Sequence, residues 1–176
     1  MNRQDIPQER EQVAGAEEAS QDASQNLDTL IERMTFLKKA PLFAELGIAE
    51  LGLIAGIARE ENYPDEAVLI EEGRLNQKLF IIAQGHVELS AQLTAENHGS
   101  LGIVGVGGSL GEDGIFTGNP SPVCAQVAMG SARIITLEGE ELQRLIRLYP
   151  EIGIGLLASM SIRLQKLQKM MIKFEQ

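Results

Sequence analysis

GVGGSLGEDGIFTGNPSPVCAQV, residues 105–127, sets six glycines and two prolines between two β-prone runs, LGIVGV at 101–106 and PVCAQVA at 122–128. Gly107-Gly108 and Gly118-Asn119-Pro120 are turn signals. Nine of the 18 glycines of the chain fall between Gly85 and Gly118, so this region must hold tight turns or close backbone approaches. The pattern is not a dinucleotide fingerprint. Leu110 stands where the third glycine after Gly105-x-Gly107 would fall, and no Gly-Lys-Ser/Thr phosphate loop is present.

Outward from this stretch the β character continues on both sides. Upstream lie AVLI at 67–70, LFIIA at 79–83 and HVELSAQ at 86–92; downstream lies ARIITL at 132–137. Glu72-Gly73, Gln84-Gly85 and Asn97-His98-Gly99 separate these runs as turns. Short, regularly spaced strands with Gly-rich turns predict a barrel, roll or sandwich.

The flanks are helical. Leu27, Leu30, Ile31, Met34 and Leu37 recur at helical spacing up to Pro41, and Leu51, Ile54, Ala55 and Ala58 share one side of a second helix. After the last strand, EELQRLIRLYP predicts a short helix ended by Pro150. A long helix then carries Leu157, Met160, Leu164, Leu167, Met171 and Phe174 at spacings of 3, 4, 3, 4, 3. That is a coiled-coil seam, which predicts a homodimer. Arg163, Lys166, Lys169 and Lys173 stay off the seam and read as its solvated outer face.

Charge and composition narrow the function classes. The net charge of −10 argues against a nucleic-acid surface, which needs clustered Lys and Arg to displace counterions. A single cysteine, Cys124, forbids an internal disulfide and suits a reducing compartment, so the cytoplasm is the default expectation. Cys124 itself reads as a small hydrophobe within a strand. No apolar run is long enough for a membrane span. Residues 1–26 carry almost no large apolar side chains and read as a disordered acidic and polar tail. The two histidines, His86 and His98, are too few for the clustered ligands of a β-roll metal enzyme, and no metal site is expected. No catalytic constellation stands out.

Four segments, in order, carry a resemblance. FLKKAPLFAELGIAEL at 36–51, EEGRLNQKLFIIAQGHVEL at 71–89, the quoted 105–127 stretch and ITLEGEELQRLIRLYPEI at 135–152 resemble the cyclic-nucleotide-binding domain family, the family of the cyclic AMP receptor protein class. The resemblance implies an α+β fold: an antiparallel β-roll, a jelly-roll-like double-stranded β-helix, flanked by N-terminal helices and a long C-terminal dimerisation helix. It divides the chain into the tail at 1–26, a β-roll with N-terminal helices at 27–150 and a dimerisation helix at 151–176. It also implies a signal-transduction module, not an enzyme.

In that family a Gly-Glu pair opens a short helix whose N-terminus meets the cyclic phosphate, and the Glu accepts the ribose hydroxyl. Gly111 and Glu112 match the pair; Asp113, Gly114, Ile115 and Phe116 match the short helix. The family's phosphate Arg follows the Glu by nine or ten residues, but here those positions are Ser121 and Pro122. No Lys or Arg occurs between Lys78 and Arg133, a span that holds Glu88, Glu96, Glu112 and Asp113. A charged hydrogen bond contributes roughly 1.5–3 kcal/mol, so a cyclic nucleotide is disfavoured as cofactor unless Arg163 or another residue of the long helix supplies the charge. Transcription factors of the family carry a helix-turn-helix after the long helix; this chain ends at Gln176, so direct DNA binding is not expected. The pocket expected from this reading is Gly111, Glu112, Asp113, Gly114 and Ser121. Two functions follow: a ligand-responsive regulatory dimer with an atypical pocket and an unnamed protein partner, or a degenerate roll that serves as a dimeric scaffold.

Overall fold

The computed structural model describes residues 26–94 and 97–174. Of the tail at 1–26, only Asn26 falls within them, and it is already helical. Helix α1 covers 26–39, followed by a 3-10 turn at Pro41–Phe43 and α2 at Ile48–Ile57. Strands β1 (Arg59–Tyr63), β2 (Val68–Ile70), β3 (Lys78–Thr94), β4 (Asn97–Val104) and β5 (Ser109–Leu110) lead to α3 (Glu112–Thr117). Then come β6 (Cys124–Glu138), α4 (Gly139–Leu148) and α5 (Pro150–Phe174). The sheet is antiparallel, in the order β1-β6-β3-β4, with β2 added to β6 and β5 to β3.

Two long strands form the frame, and their alternation distributes the core. In β3, Leu79 and Ile81 face the helices while Phe80 and Ile82 face the roll interior. In β6, Ile135 and Leu137 join the helical cluster while Ala132 and Ile134 join the interior one. Successive side chains of a strand point to opposite faces, so one apolar run serves two cores.

The runs at 79–83 and 86–92 are a single bent strand, not two strands joined by a turn. Gly85 is its corner, at φ 91°. Only Gly85 on β3 lies opposite residues 129–132 of β6, between the pairs Gln84–Arg133 and His86–Ala128. A Cβ at Gly85 would meet the Ala132 Cα and the Ser131 carbonyl oxygen at 2.9 Å. Pairing resumes on either side, so the extra residues bulge β6 opposite Gly85 without ending either strand. The runs at 122–128 and 132–137 fuse in the same way into β6. Asn97 and Gly99, read as turn residues, belong to β4.

Pro150 ends α4 and is also the first residue of α5, where a missing N–H costs nothing. The first turns of α5 dock through Ile152, Leu156 and Ser159, all buried. On another side of the helix Leu157, Met160, Leu164, Leu167 and Met171 stay exposed.

Candidate ligand site

The stretch at 105–127, which the resemblance matches to the family's phosphate-binding cassette, folds around α3, a helix of six residues. Gly111 precedes it at φ 94° and Gly118 follows it at φ 70°. Three elements hold α3 from outside. Asn76, in the turn before β3, donates through Nδ2 to the Lys78 carbonyl at 2.5 Å and reaches the Gly111 carbonyl at 3.5 Å. Gln143 of α4 donates to the Ile115 carbonyl at 2.7 Å. Arg163 of α5 donates through Nη1 to Glu112 Oε1 at 3.1 Å.

Of the expected pocket residues, Gly111, Glu112, Asp113 and Gly114 come together at the start of α3. Both glycines have a packing role. A Cβ on Gly111 would collide with the Lys78 carbonyl oxygen and Asn76 Nδ2, and a Cβ on Gly114 with the Asn76 carbonyl oxygen. Their absence of side chain lets α3 lie on the 76–78 backbone. Asp113 is exposed, and its carbonyl accepts from Thr117 Oγ1 at 2.7 Å.

Glu112 is the charged centre of the cassette. Its side chain is 15% exposed, and Oε1 also lies 3.5 Å from Ser109 Oγ of β5. Arg163 therefore does not stand on the outer face of α5, as its place off the seam suggested. It lies on the helix face of Ile152, Leu156 and Ser159, turned toward the domain. Lys166 and Lys169 remain exposed. The cation missing from residues 79–132 is thus supplied by α5, but to the glutamate.

Ser121 is apart from this group in function. It is buried, and its hydroxyl donates to the Val123 carbonyl at 2.9 Å and accepts from the Val123 N–H at 3.3 Å. Its backbone pairs with the preceding turn: Gly73 N–H to the Ser121 carbonyl and Ser121 N–H to the Arg74 carbonyl, both 2.8 Å. Where the resemblance calls for an arginine, the chain places a hydroxyl that closes its own turn. Cys124 is half-buried on β6. His86 is exposed, the His98 side chain lies outside the described set, and no group of three His, Cys, Asp or Glu among the described residues is arranged to hold a metal ion.

The seam residues Leu157, Met160, Leu164, Leu167 and Met171 line one side of α5, with Leu164 and Leu167 56% and 52% exposed. The side chains of Lys173 and Phe174 lie outside the described set. No single described helix is long and apolar enough to cross a membrane.

Comparison with known proteins places this architecture. The model described as the cyclic nucleotide-binding domain matches residues 60–149, just over half of the chain. The cyclic AMP receptor protein of Thermus thermophilus is 27% identical over 142 residues, 80% of this chain and 65% of that protein. The chain thus spans less than two thirds of that relative's length. Among solved structures, the catabolite activator protein of Thermus thermophilus matches with TM-score 0.63 and 24% identity, over 77% of this chain and 63% of that one. The regulatory domain of Toxoplasma gondii PKA with cAMP matches at 0.66 and 18%, over 78% and 51%. The N-terminal domain of a Streptomyces coelicolor transcriptional regulator matches at 0.65 and 23%, over 76% and 95%. At these identities the solved structures share the β-roll fold.

Proposed function

Because the chain belongs to the cyclic nucleotide-binding domain family, we propose that it is a regulatory module: a homodimer joined along α5, in which a small molecule at the cassette alters how α5 is held. Its work is binding, not catalysis. The roll at 27–150 is the sensing unit, the helix at 151–176 the joining unit, and 1–26 a tail outside both.

The observation that carries this reading is the Arg163–Glu112 contact. It connects the cassette directly to the helix that bears the exposed seam. A ligand hydroxyl donating to Glu112 would join a carboxylate already engaged by α5, so occupancy and helix attachment become one equilibrium. The ligand suited to this site is neutral or keeps its charge away from Glu112, because Ser121 offers a satisfied hydroxyl in place of a cation. A cyclic nucleotide is therefore a weak ligand.

The same bonds support a second reading. The polar groups of the cassette have partners within the chain: Glu112 with Arg163, Ser121 with Val123, Gly111 with Asn76. A roll so closed can serve as a dimeric scaffold. Thermal-shift screening of the full chain with nucleosides and neutral metabolites separates the two. A ligand that raises the melting temperature and alters hydrogen exchange in α5 supports the sensor; dimerisation with no ligand response supports the scaffold.

A further inference from the structure

A concavity lined by none of the cassette residues lies where the 3-10 turn and α2 meet the start of α5. It encloses about 430 Å³ and is lined by the apolar Leu46, Ile154 and Ala158 and by the carboxylates of Glu45, Glu50 and Glu151. Among the described residues no Lys or Arg lines it. None of the three glutamates makes an ion pair among the described residues. Lys38, on α1, takes no carboxylate here; it donates to the carbonyls of Ala44 and Leu46 at 2.8 Å. Ile154 is 67% exposed, an apolar side chain left largely uncovered by the described residues.

At 3.6 residues per turn, Glu151 and Ala158 point roughly 140–160° away from the mean direction of the Leu157–Met171 seam, while Ile154 lies roughly 100° from it and borders Leu157. Dimerisation along the seam leaves the Glu151 and Ala158 side of this groove open. Its chemistry is an apolar slot ringed by unneutralised negative charge. The side chains that satisfy both features are Lys and Arg with apolar neighbours one helical turn away, since their long methylene stems cover apolar surface while the charged end reaches a carboxylate. A second copy of α5 lying in parallel along the seam would place its Lys166 and Lys169 well beyond Glu151, because they are some fifteen and eighteen residues further along the helix, roughly 22 and 27 Å.

We infer that the groove between the Glu45–Glu50 segment and the start of α5 is a docking site for a cationic amphipathic helix of another protein. The partner inserts an apolar side chain between Leu46 and Ile154 and sets Lys or Arg against Glu45, Glu50 and Glu151. Opposite charges across the groove fix orientation and exclude acidic competitors. The site does not depend on the cassette being occupied.

The test is nitrogen-15 NMR on the full chain, titrated with a synthetic amphipathic helix of Leu and Lys and, separately, with its Leu and Glu counterpart. The Leu/Lys helix is expected to shift amides at 45–50 and 151–158 saturably, and the Leu/Glu helix to leave them unmoved. The isosteric variant E45Q/E50Q/E151Q, checked by circular dichroism, is expected to weaken binding about tenfold or more. A Leu164→Glu, Leu167→Glu variant is expected to bind as the native chain does, which separates this site from the dimer. Shifts confined to other surfaces, equal binding of the Leu/Glu helix, or unaltered affinity of the Gln variant overturn the inference. So does loss of the dimer in the Gln variant, which assigns the groove to a second copy. Binding that appears only after removal of residues 1–25 does the same, assigning it to the tail.

Discussion

Arg163 Nη1 lies 3.1 Å from Glu112 Oε1, joining residues 51 positions apart on α5 and α3. The arginine side chain is 59% exposed, so solvent screens the pair, and its worth in global stability is modest, about 0.5–1 kcal/mol. Its larger effect is positional. Arg163→Ala is expected to lower the melting temperature by no more than about 4 °C while hydrogen exchange quickens along α5 beyond Ser159. Glu112→Gln should behave likewise, and the double variant little worse than either single. Fully additive effects would show that the two side chains do not act as a pair.

The exposed seam gives the second expectation. Sedimentation of the native chain at micromolar concentration should report a homodimer. Leu164→Glu with Leu167→Glu places four like charges in one seam per dimer and should yield a folded monomer. A native chain that sediments as a monomer rules out the α5 dimer.

Cyclic AMP and cyclic GMP should bind the native chain weakly, one to two orders of magnitude below a site with a phosphate arginine. Ser121→Arg breaks the hydroxyl's bonds to Val123 but brings a cation into the cassette, and affinity should rise about tenfold. Calorimetry decides: sub-micromolar binding of cyclic AMP by the native chain would refute the claim.

The cassette glycines should be intolerant for steric reasons. Gly111→Ala combines a positive φ with collision against the Lys78 carbonyl and should cost roughly 2–4 kcal/mol. Gly118 also has a positive φ but open space around it, so Gly118→Ala should cost only about 1 kcal/mol. Urea unfolding of both variants measures the difference, and equal losses would show that packing on residues 76–78 contributes nothing.

Removal of residues 1–26 should leave the melting temperature within a few degrees of the native value, as expected for a segment with few large apolar side chains. A larger fall would mean that the tail, or the first residue of α1, is part of the folded core.

The fold was legible where apolar residues gather in short runs, as in 79–82 and 132–137. It was obscured where polarity hides a strand. Arg59–Tyr63 holds three charged residues and no apolar run, yet it pairs with β6 from Arg59–Thr136 to Tyr63–Ala132, a partner over sixty residues away that no local pattern reveals. β5, two residues long, is too short for any periodicity. Gly85 signals a turn in isolation, and only its pairing partners on β6 show that β3 runs on through it. In the site, the Gly-Glu pair stood out, but Asn76 and Ser109 did not, being single polar residues with no motif. Arg163 had a signal that the seam masked: Ile152, Leu156, Ser159 and Arg163 are spaced 4, 3, 4 and form a second stripe on α5.

β3 and β6 each present alternate residues to the roll interior and to the helical cluster. A strand that withdraws from one core must also leave the other, so the helices cannot detach while the roll survives intact. Heat or urea should meet one cooperative barrier shared by 27–156, with near-ultraviolet and far-ultraviolet dichroism lost together. Only the outer part of α5, past the last residue it buries, is free to melt ahead of the rest.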